Sequence, residues 1–224
     1  MKGREFKDAV FEQFARIAYA FSSPKRLEVI DVLAQGERDV DSLTKQTSMT
    51  VANTSRHLQI LKNARLVESR REGVRIYYRL ADKDVFNCWK SLQSLAEKRL
   101  SQIKEITQSY FKDRECLDSI SLEELWERIQ KKDIIVLDVR PAEEYKKAHI
   151  SGSLSIPLQE LKTRLHEIPR DKEVVAYCRG PYCVLSPEAI VLLSKAGYHA
   201  LRLDDGLPEW QNAGFPVESE LETV

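Results

Sequence analysis

Two different hydrophobic periods divide this chain. Phe6, Val10, Phe14, Ile17 and Phe21 begin a helical spacing that continues to Tyr110. From Ile134 the apolar residues fall instead into short runs, Ile134–Val139, Leu154–Ile156, Val174–Tyr177 and Leu201–Leu203, with helical stretches between them at Leu158–His166 and Pro187–Ala196. Alternating strands and helices predict a largely parallel sheet covered by helices, and the helical front half needs a core of its own. At 224 residues the chain is long enough for two. The segment from Lys112 to Ser119 is charged and aperiodic, and Ser121-Leu122-Glu123-Glu124 after it reads as a capping box opening a new helix. The expected domains are therefore 1–113 and 114–224.

Charge separates the same halves. The whole chain is neutral, but residues 1–113 carry 21 Lys/Arg against 15 Asp/Glu, a net +6, and the remainder is −6. A basic front half points to a polyanion partner, with Arg56, Lys62, Arg65, Arg70, Arg71, Arg75 and Arg79 as its densest stretch. A solvated helix and hairpin would have the same composition, so charge alone does not decide. No run approaches the roughly 18 apolar residues of a membrane span, and the N-terminus lacks a secretory pattern, so a cytoplasmic protein without a membrane partner is expected. The four cysteines, Cys88, Cys116, Cys178 and Cys183, are too few and too unevenly spaced for a disulfide framework.

In the front half, Ser23 and Pro24 open a second helix that Gly36 ends, Asp39–Gln46 reads as a short helix, and Thr50 caps another running to about Ala64. Two short helices in tandem suggest a helix-turn-helix. Leu66–Arg70 and Val74–Tyr78 then flank a glycine turn at Arg71-Glu72-Gly73, a basic β-wing. A long helix is predicted over Lys83–Phe111, with Val85, Trp89, Leu92, Ala96, Ile103, Ile106 and Tyr110 forming a stripe that Arg99 interrupts. A helix of that length calls for a partner. Packing of the first helix and the helix 83–111 against a second copy would make a homodimer with two recognition helices, suited to an imperfect palindrome in double-stranded DNA.

Ser22-Ser23-Pro24-Lys25-Arg26-Leu27, the run Val51 to Leu61 and the wing together resemble the ArsR/SmtB family of winged helix-turn-helix regulators, over about half the chain. The resemblance implies that Asn53, Thr54, Ser55, Arg56 and His57 lie on the recognition helix, facing phosphates and base edges, with Arg70, Arg71 and Arg75 on the wing. It puts Leu58 and Leu61 in the core, and His57 is read as supporting the helix. Many relatives sense metals. Here the segment Glu37–Leu43 contains neither cysteine nor histidine, Val85–Phe111 contains no histidine, and Cys88 stands alone, so neither metal site nor cofactor is expected.

In the back half, Glu173–Tyr177 delivers Cys178 into Arg179-Gly180-Pro181-Tyr182-Cys183-Val184-Leu185 before Ser186 and Pro187 open a helix. Curled backbone amides and a helix N-terminus favour the thiolate, Arg179 adds charge, and a loop containing Gly-Pro is a poor place to bury a thiol, so Cys178 is expected to be reactive. Leu137-Asp138-Val139-Arg140, Glu144-Tyr145, His149 to Ser153, Ile156-Pro157, Gly206 to Trp210 and Ala213 to Val217 resemble the rhodanese domain over roughly 121–217. That resemblance implies an α/β sulfurtransferase-type fold in which Cys178 carries a persulfide and Asp138 and Arg140 belong to the network around its loop. The distance from Cys178 to Gly197 is a residue or two longer than in common single-domain sulfurtransferases, which puts turnover in question. Rhodanese-like phosphatases and arsenate reductases clamp an oxyanion with an arginine six positions after the cysteine, where this chain has Val184. A sulfane-sulfur or oxidant small molecule is then the expected input, with Cys183 as a resolving thiol. The sequence thus predicts a winged helix-turn-helix repressor that senses reactive sulfur. The alternatives are a thiosulfate-type sulfurtransferase tethered to a DNA-binding domain, or an inert docking module behind one.

Overall fold

Residues 2–112 and 118–220 are described by a computed structural model, in which the chain forms two compact units, Met1–Arg99 and Leu100–Val224. The boundary expected after Asp113, like Cys116, lies outside the described residues.

The first unit runs α1 (Gly3–Phe21), α2 (Pro24–Ala34), β1 (Arg38–Asp39), α3 (Val40–Gln46), α4 (Val51–Asn63), β2 (Val67–Glu72), β3 (Arg75–Leu80) and α5 (Lys83–Arg99). Local chemistry sets these ends. Pro24 occupies the first turn of α2, where its missing N–H has no partner to lose. The Asp39 carboxylate accepts the Ser42 N–H at 2.7 Å ahead of α3, and Thr50 Oγ1 accepts the Asn53 N–H at 3.3 Å ahead of α4. The hairpin closes on Gly73 and Val74, with Glu72 opposite Arg75, and Gly73 takes φ +59°, a backbone region that strains other residues. A small antiparallel sheet results, in the order β1-β3-β2. Val29, Ile30, Leu33, Leu43, Leu58 and Leu61 form the core beneath it, and α5 is tied to α2 by a 3.1 Å bond from Trp89 Nε1 to Asp31.

The second unit continues with α6 (Ser101–Lys112), β4 (Ser119–Ile120), α7 (Leu122–Lys131), β5 (Ile134–Asp138), α8 (Ala142–Lys147), β6 (His149–Ile150), β7 (Leu154–Ser155), α9 (Leu158–Arg164) with a 3-10 turn at Leu165–Glu167, β8 (Glu173–Cys178), α10 (Leu185–Lys195), β9 (Ala200–Gly206), α11 (Leu207–Asn212) and β10 (Val217–Glu218). Its five-stranded sheet, β4-β9-β8-β5-β7, is parallel throughout, and β6 and β10 form a separate antiparallel pair. Every residue of β8 after Glu173 is buried, as expected of a central strand covered on both faces. Cys178 ends that strand, at the carboxyl edge where loops of parallel sheets carry their chemistry.

The single helix expected over Lys83–Phe111 is two helices, α5 and α6, broken at Leu100. The break has a packing reason. Phe111 is buried with Leu137, Val139 and Cys178 in one core of the second unit, Tyr110 packs beside it, and the Arg202 guanidinium lies 4.4 Å over the Phe111 ring. The second half of the helical stripe therefore serves a different core from the first. Among the described residues no helix is long and apolar enough to cross a membrane.

Candidate functional site

The Cys178 loop is built on three parallel strand ends. At the tip of β5 the buried Asp138 carboxylate and Arg140 guanidinium pair at 2.6 Å, and Arg140 also donates to the Ala148 carbonyl at 2.8 Å. Tyr177, next to Cys178, donates its hydroxyl to Asp138 at 2.5 Å and accepts the Ile150 N–H at 3.1 Å. Burial first, and the Asp138 charge second, hold the Tyr177 phenol well above its ordinary value, so it stays protonated as the donor. Asp138, Arg140 and Tyr177 thus form the foundation of the loop without touching the Cys178 sulfur.

On the other side, β9 ends at Gly206, opposite Cys178. A Cβ at Gly206 would lie 2.4 Å from the Arg179 carbonyl carbon and 2.5 Å from the Gly180 nitrogen, so only glycine allows the loop to sit there. The Glu209 carboxylate accepts the Gly206 N–H at 3.0 Å and fixes the start of α11. Arg179, expected to act on the thiol by its charge, is paired with the buried Glu144 at 2.7 Å, so its principal contact is structural.

Cys178 itself is 1% exposed, which corrects the expectation that a Gly-Pro loop would leave it open. The loop curls over the sulfur rather than away from it. Burial opposes ionisation, but donors outweigh it. The Cys183 thiol, the Ser186 hydroxyl with its oxygen 3.2 Å away, and the backbone N–H groups of Ser186 and Gly180 all favour the thiolate and hold Cys178 below the ordinary thiol range. Cys183 is half-buried, and the neighbouring Cys178 together with burial pushes its own thiol upward. The site is a buried cysteine held below the ordinary thiol range, with a second thiol in the same loop whose carbonyl oxygen lies 3.9 Å from the Cys178 sulfur. Glu144, Tyr177 and Ser186 carry roles here that the sequence did not assign. Only Ser186, at the start of α10, had a positional signal.

In the first unit, Asn53, Ser55 and Arg56 are exposed on α4, as are Gln59 and Lys62 further along the same helix. Thr54 is a correction. It is fully buried, its hydroxyl donating to the Thr50 carbonyl and accepting from Thr44, both at 3.0 Å, so it holds α3 against α4 and offers DNA nothing. His57 is half-buried, and burial, followed by Arg26, Arg56 and Lys25, lowers its pKa. It is therefore neutral at pH 7. On the wing, Arg70 is bonded to both Glu37 oxygens and to Glu72 and stacks 4.6 Å over Tyr77, Arg75 lies 3.4 Å from Asp39, and Arg71 donates to the Gly73 carbonyl at 3.1 Å. The arginines are exposed while Glu37 and Asp39 are half-buried, so the pairs hold the wing against β1 and the start of α3.

A helix-turn-helix with a two-stranded wing, followed by a parallel-sheet domain with a cysteine cradled at a helix N-terminus, defines a two-domain regulator. Residues 23–69 match the bacterial regulatory protein, arsR family, and residues 121–213 match the rhodanese-like domain. The HTH-type transcriptional regulator Rv0324 of Mycobacterium tuberculosis is 42% identical over 212 residues, spanning 95% of this chain and 93% of its own length. The chain belongs to the ArsR family of transcriptional regulators, in the form that carries a C-terminal rhodanese-like domain. A sulfurtransferase of Allochromatium vinosum is 31% identical over 103 residues, covering 45% of this chain and 94% of that protein. Among solved structures, the homodimeric winged helix-turn-helix DNA-binding domain Mb0332 of Mycobacterium bovis is 41% identical, with a TM-score of 0.41, over 45% of this chain and 91% of that one.

Proposed function

We propose that this regulator is a repressor whose rhodanese-like domain receives reactive sulfur at Cys178 and converts it into a change in DNA affinity. The observation that carries the reading is the buried Cys178, whose thiol is held below its ordinary range, with the second thiol, Cys183, in the same loop, its carbonyl oxygen 3.9 Å from the Cys178 sulfur. A sulfane-sulfur donor R–S–SH supplies both sulfur and oxidant. The Cys178 thiolate attacks the outer sulfur, the S–S bond of the donor breaks, and R–S⁻ leaves, giving Cys178–S–SH. Cys183, once deprotonated, attacks the Cys178 sulfur and expels HS⁻, leaving a Cys178–Cys183 disulfide. The two cysteines are oxidised and the sulfane sulfur is reduced.

On this reading the protein works in the cytoplasm as a homodimer on an imperfect palindrome. Asn53, Ser55 and Arg56 face the major groove and the wing arginines the backbone. Support for the dimer comes from α1, where Phe6, Phe11 and Phe14 are 57%, 59% and 61% exposed, an apolar face that a second copy would cover together with α5. The test titrates operator DNA with wild type, Cys178→Ser and Cys183→Ser, with and without inorganic polysulfide, while mass spectrometry reads the sulfur state. The expected result is a fall of roughly five- to hundredfold in wild-type affinity, absent in both variants. Wild type that gains sulfur at Cys178 yet binds DNA unchanged would overturn the sensor. A tethered sulfurtransferase is then the better reading, favoured by the likeness to the Allochromatium enzyme over 94% of that protein. Sustained turnover of thiosulfate with a thiol acceptor would establish it.

A further inference from the structure

Beside the Cys178 loop, within the second unit, lies a cavity of about 200 Å³. Ile106, Thr107, Tyr110 and Phe111 of α6 form one wall and Pro181, Tyr182 and Val184 of the loop the other, with Cys183 between them. Among the described residues no charged side chain lines it. The nearest loop cation, Arg179, is held by Glu144 at 2.7 Å. At roughly 30 Å³ per water, the space holds about seven water-sized groups, which suits one small organic chain and not a peptide.

The chemistry of the cavity restricts what it can receive. Thiosulfate is a dianion, and a glutathione-type carrier brings two carboxylates and an ammonium. Either would meet aromatic and aliphatic walls with no counter-charge, and an unpaired charge is expensive to desolvate. An apolar group loses nothing there. The reactive atom is also fixed. Cys183, the thiol lining the cavity, belongs to the same loop as Cys178, with its carbonyl oxygen 3.9 Å from the Cys178 sulfur, and Cys178 itself is 1% exposed.

We propose that this cavity seats the organic group of an uncharged, apolar hydropersulfide, R–S–SH, with Cys183 standing between the bound donor and Cys178. The proposal rests on the reading of Cys178 as the sulfur-receiving thiol. With R held against Tyr110 and Val184, the outer sulfur reaches the Cys178 thiolate past Cys183. As the S–S bond breaks, the departing R–S⁻ takes the Cys183 proton and leaves as R–SH. The resulting Cys183 thiolate attacks the Cys178 sulfur and releases HS⁻. One donor and two thiol groups, one of them ionised, give one disulfide, one R–SH and one HS⁻, with charge and protons conserved.

The experiment uses the full-length protein and follows Cys178–Cys183 disulfide formation by mass spectrometry with three donors: n-hexyl hydropersulfide, glutathione hydropersulfide and inorganic hydropolysulfide. Ile106 is 70% exposed, so Ile106→Glu introduces a charge at the cavity without emptying a core, and Ile106→Gln controls for the loss of the aliphatic side chain. The expected result is that the hexyl donor reacts about tenfold or more faster than the glutathione donor with wild type. Ile106→Glu should abolish most of that preference, Ile106→Gln less of it, and both should leave the hydropolysulfide rate unchanged. If the glutathione donor matches the hexyl donor, or Ile106→Glu leaves the hexyl rate untouched while hydropolysulfide still modifies Cys178, the cavity assignment is wrong and the sulfur reading stands. If none of the three donors modifies Cys178, the sulfur reading falls and takes the assignment with it.

Discussion

The Ser186 hydroxyl oxygen lies 3.2 Å from the Cys178 sulfur, and both residues are buried, so a helix-opening serine and a strand-ending cysteine share a hydrogen bond shielded from water. A hydroxyl donor in that position favours the thiolate and helps to offset the burial that opposes it. Ser186→Ala should therefore raise the Cys178 pKa. Loss of one such bond is on the order of 1 kcal/mol, or just under one pH unit, so from a value of about 6 the midpoint should rise by that much, and the thiolate fraction should fall several-fold near pH 5 but only to about two-thirds at pH 7. The check is the pH dependence of Cys178 alkylation. Because the wild-type value is depressed, its rate should level off below the ordinary thiol range, and the variant's midpoint should move upward. An unchanged midpoint would remove Ser186 from the account. Absolute rates are a poor guide, since Cys88 is exposed and Cys178 is not.

Gly206→Ala tests the close approach of β9 to the loop. A methyl group 2.4 Å from the Arg179 carbonyl carbon cannot be accommodated without moving backbone. The expected outcome is a loss of about 1–3 kcal/mol in urea unfolding together with a Cys178 pKa returned toward the ordinary range, because the donors that surround the sulfur move with the loop. A stable variant with unchanged Cys178 titration would contradict this geometry.

Asp138→Asn removes the charge that Arg140 faces while keeping the shape of the side chain. The pair is fully buried, and an unpaired guanidinium there is costly, so a destabilisation of about 3–5 kcal/mol is expected in chemical denaturation. Tyr177 also loses the carboxylate it donates to, at 2.5 Å. Replacing Asp138 and Arg140 together by apolar residues should recover part of that loss, which a double-mutant cycle would measure.

If Arg70 meets a phosphate as proposed, Glu37 competes with DNA for it. Glu37→Gln should then loosen the guanidinium, leaving it only the Glu72 pair, tighten binding to all sequences and steepen the slope of log K against log salt by up to about one phosphate contact. Arg56→Ala should instead weaken operator binding by about 1–3 kcal/mol, with little change on unrelated DNA, if Arg56 reads a base. Salt titrations on specific and random duplexes separate the two.

The change of period near residue 134, the capping side chains of Thr50 and Ser121, and the strand that delivers Cys178 were all legible, because each is a local pattern. The break at Leu100 was not. No proline or glycine marks it, and Arg99 interrupts the apolar stripe beside it without ending the helical spacing, while a distant core claims Phe111. Thr54 looked like one more short polar side chain on a recognition helix until Thr44, ten residues earlier, came to pack against it. The Arg179–Glu144 pair joins residues 35 apart, a relationship that spacing along a single sequence cannot reveal.

The placement of α6 bears on how the C-terminal half could be excised. It falls after the arsR-family match and before the rhodanese-like match, so a fragment cut at either family limit would lose or misassign it. A piece beginning at residue 121 would strip Phe111 from among Leu137, Val139 and Cys178 and uncover the Arg202 guanidinium stacked on its ring. The compact unit that holds this half begins at Leu100, and a fragment cut short of α6 should express as a partly opened, sticky protein even with every rhodanese motif intact.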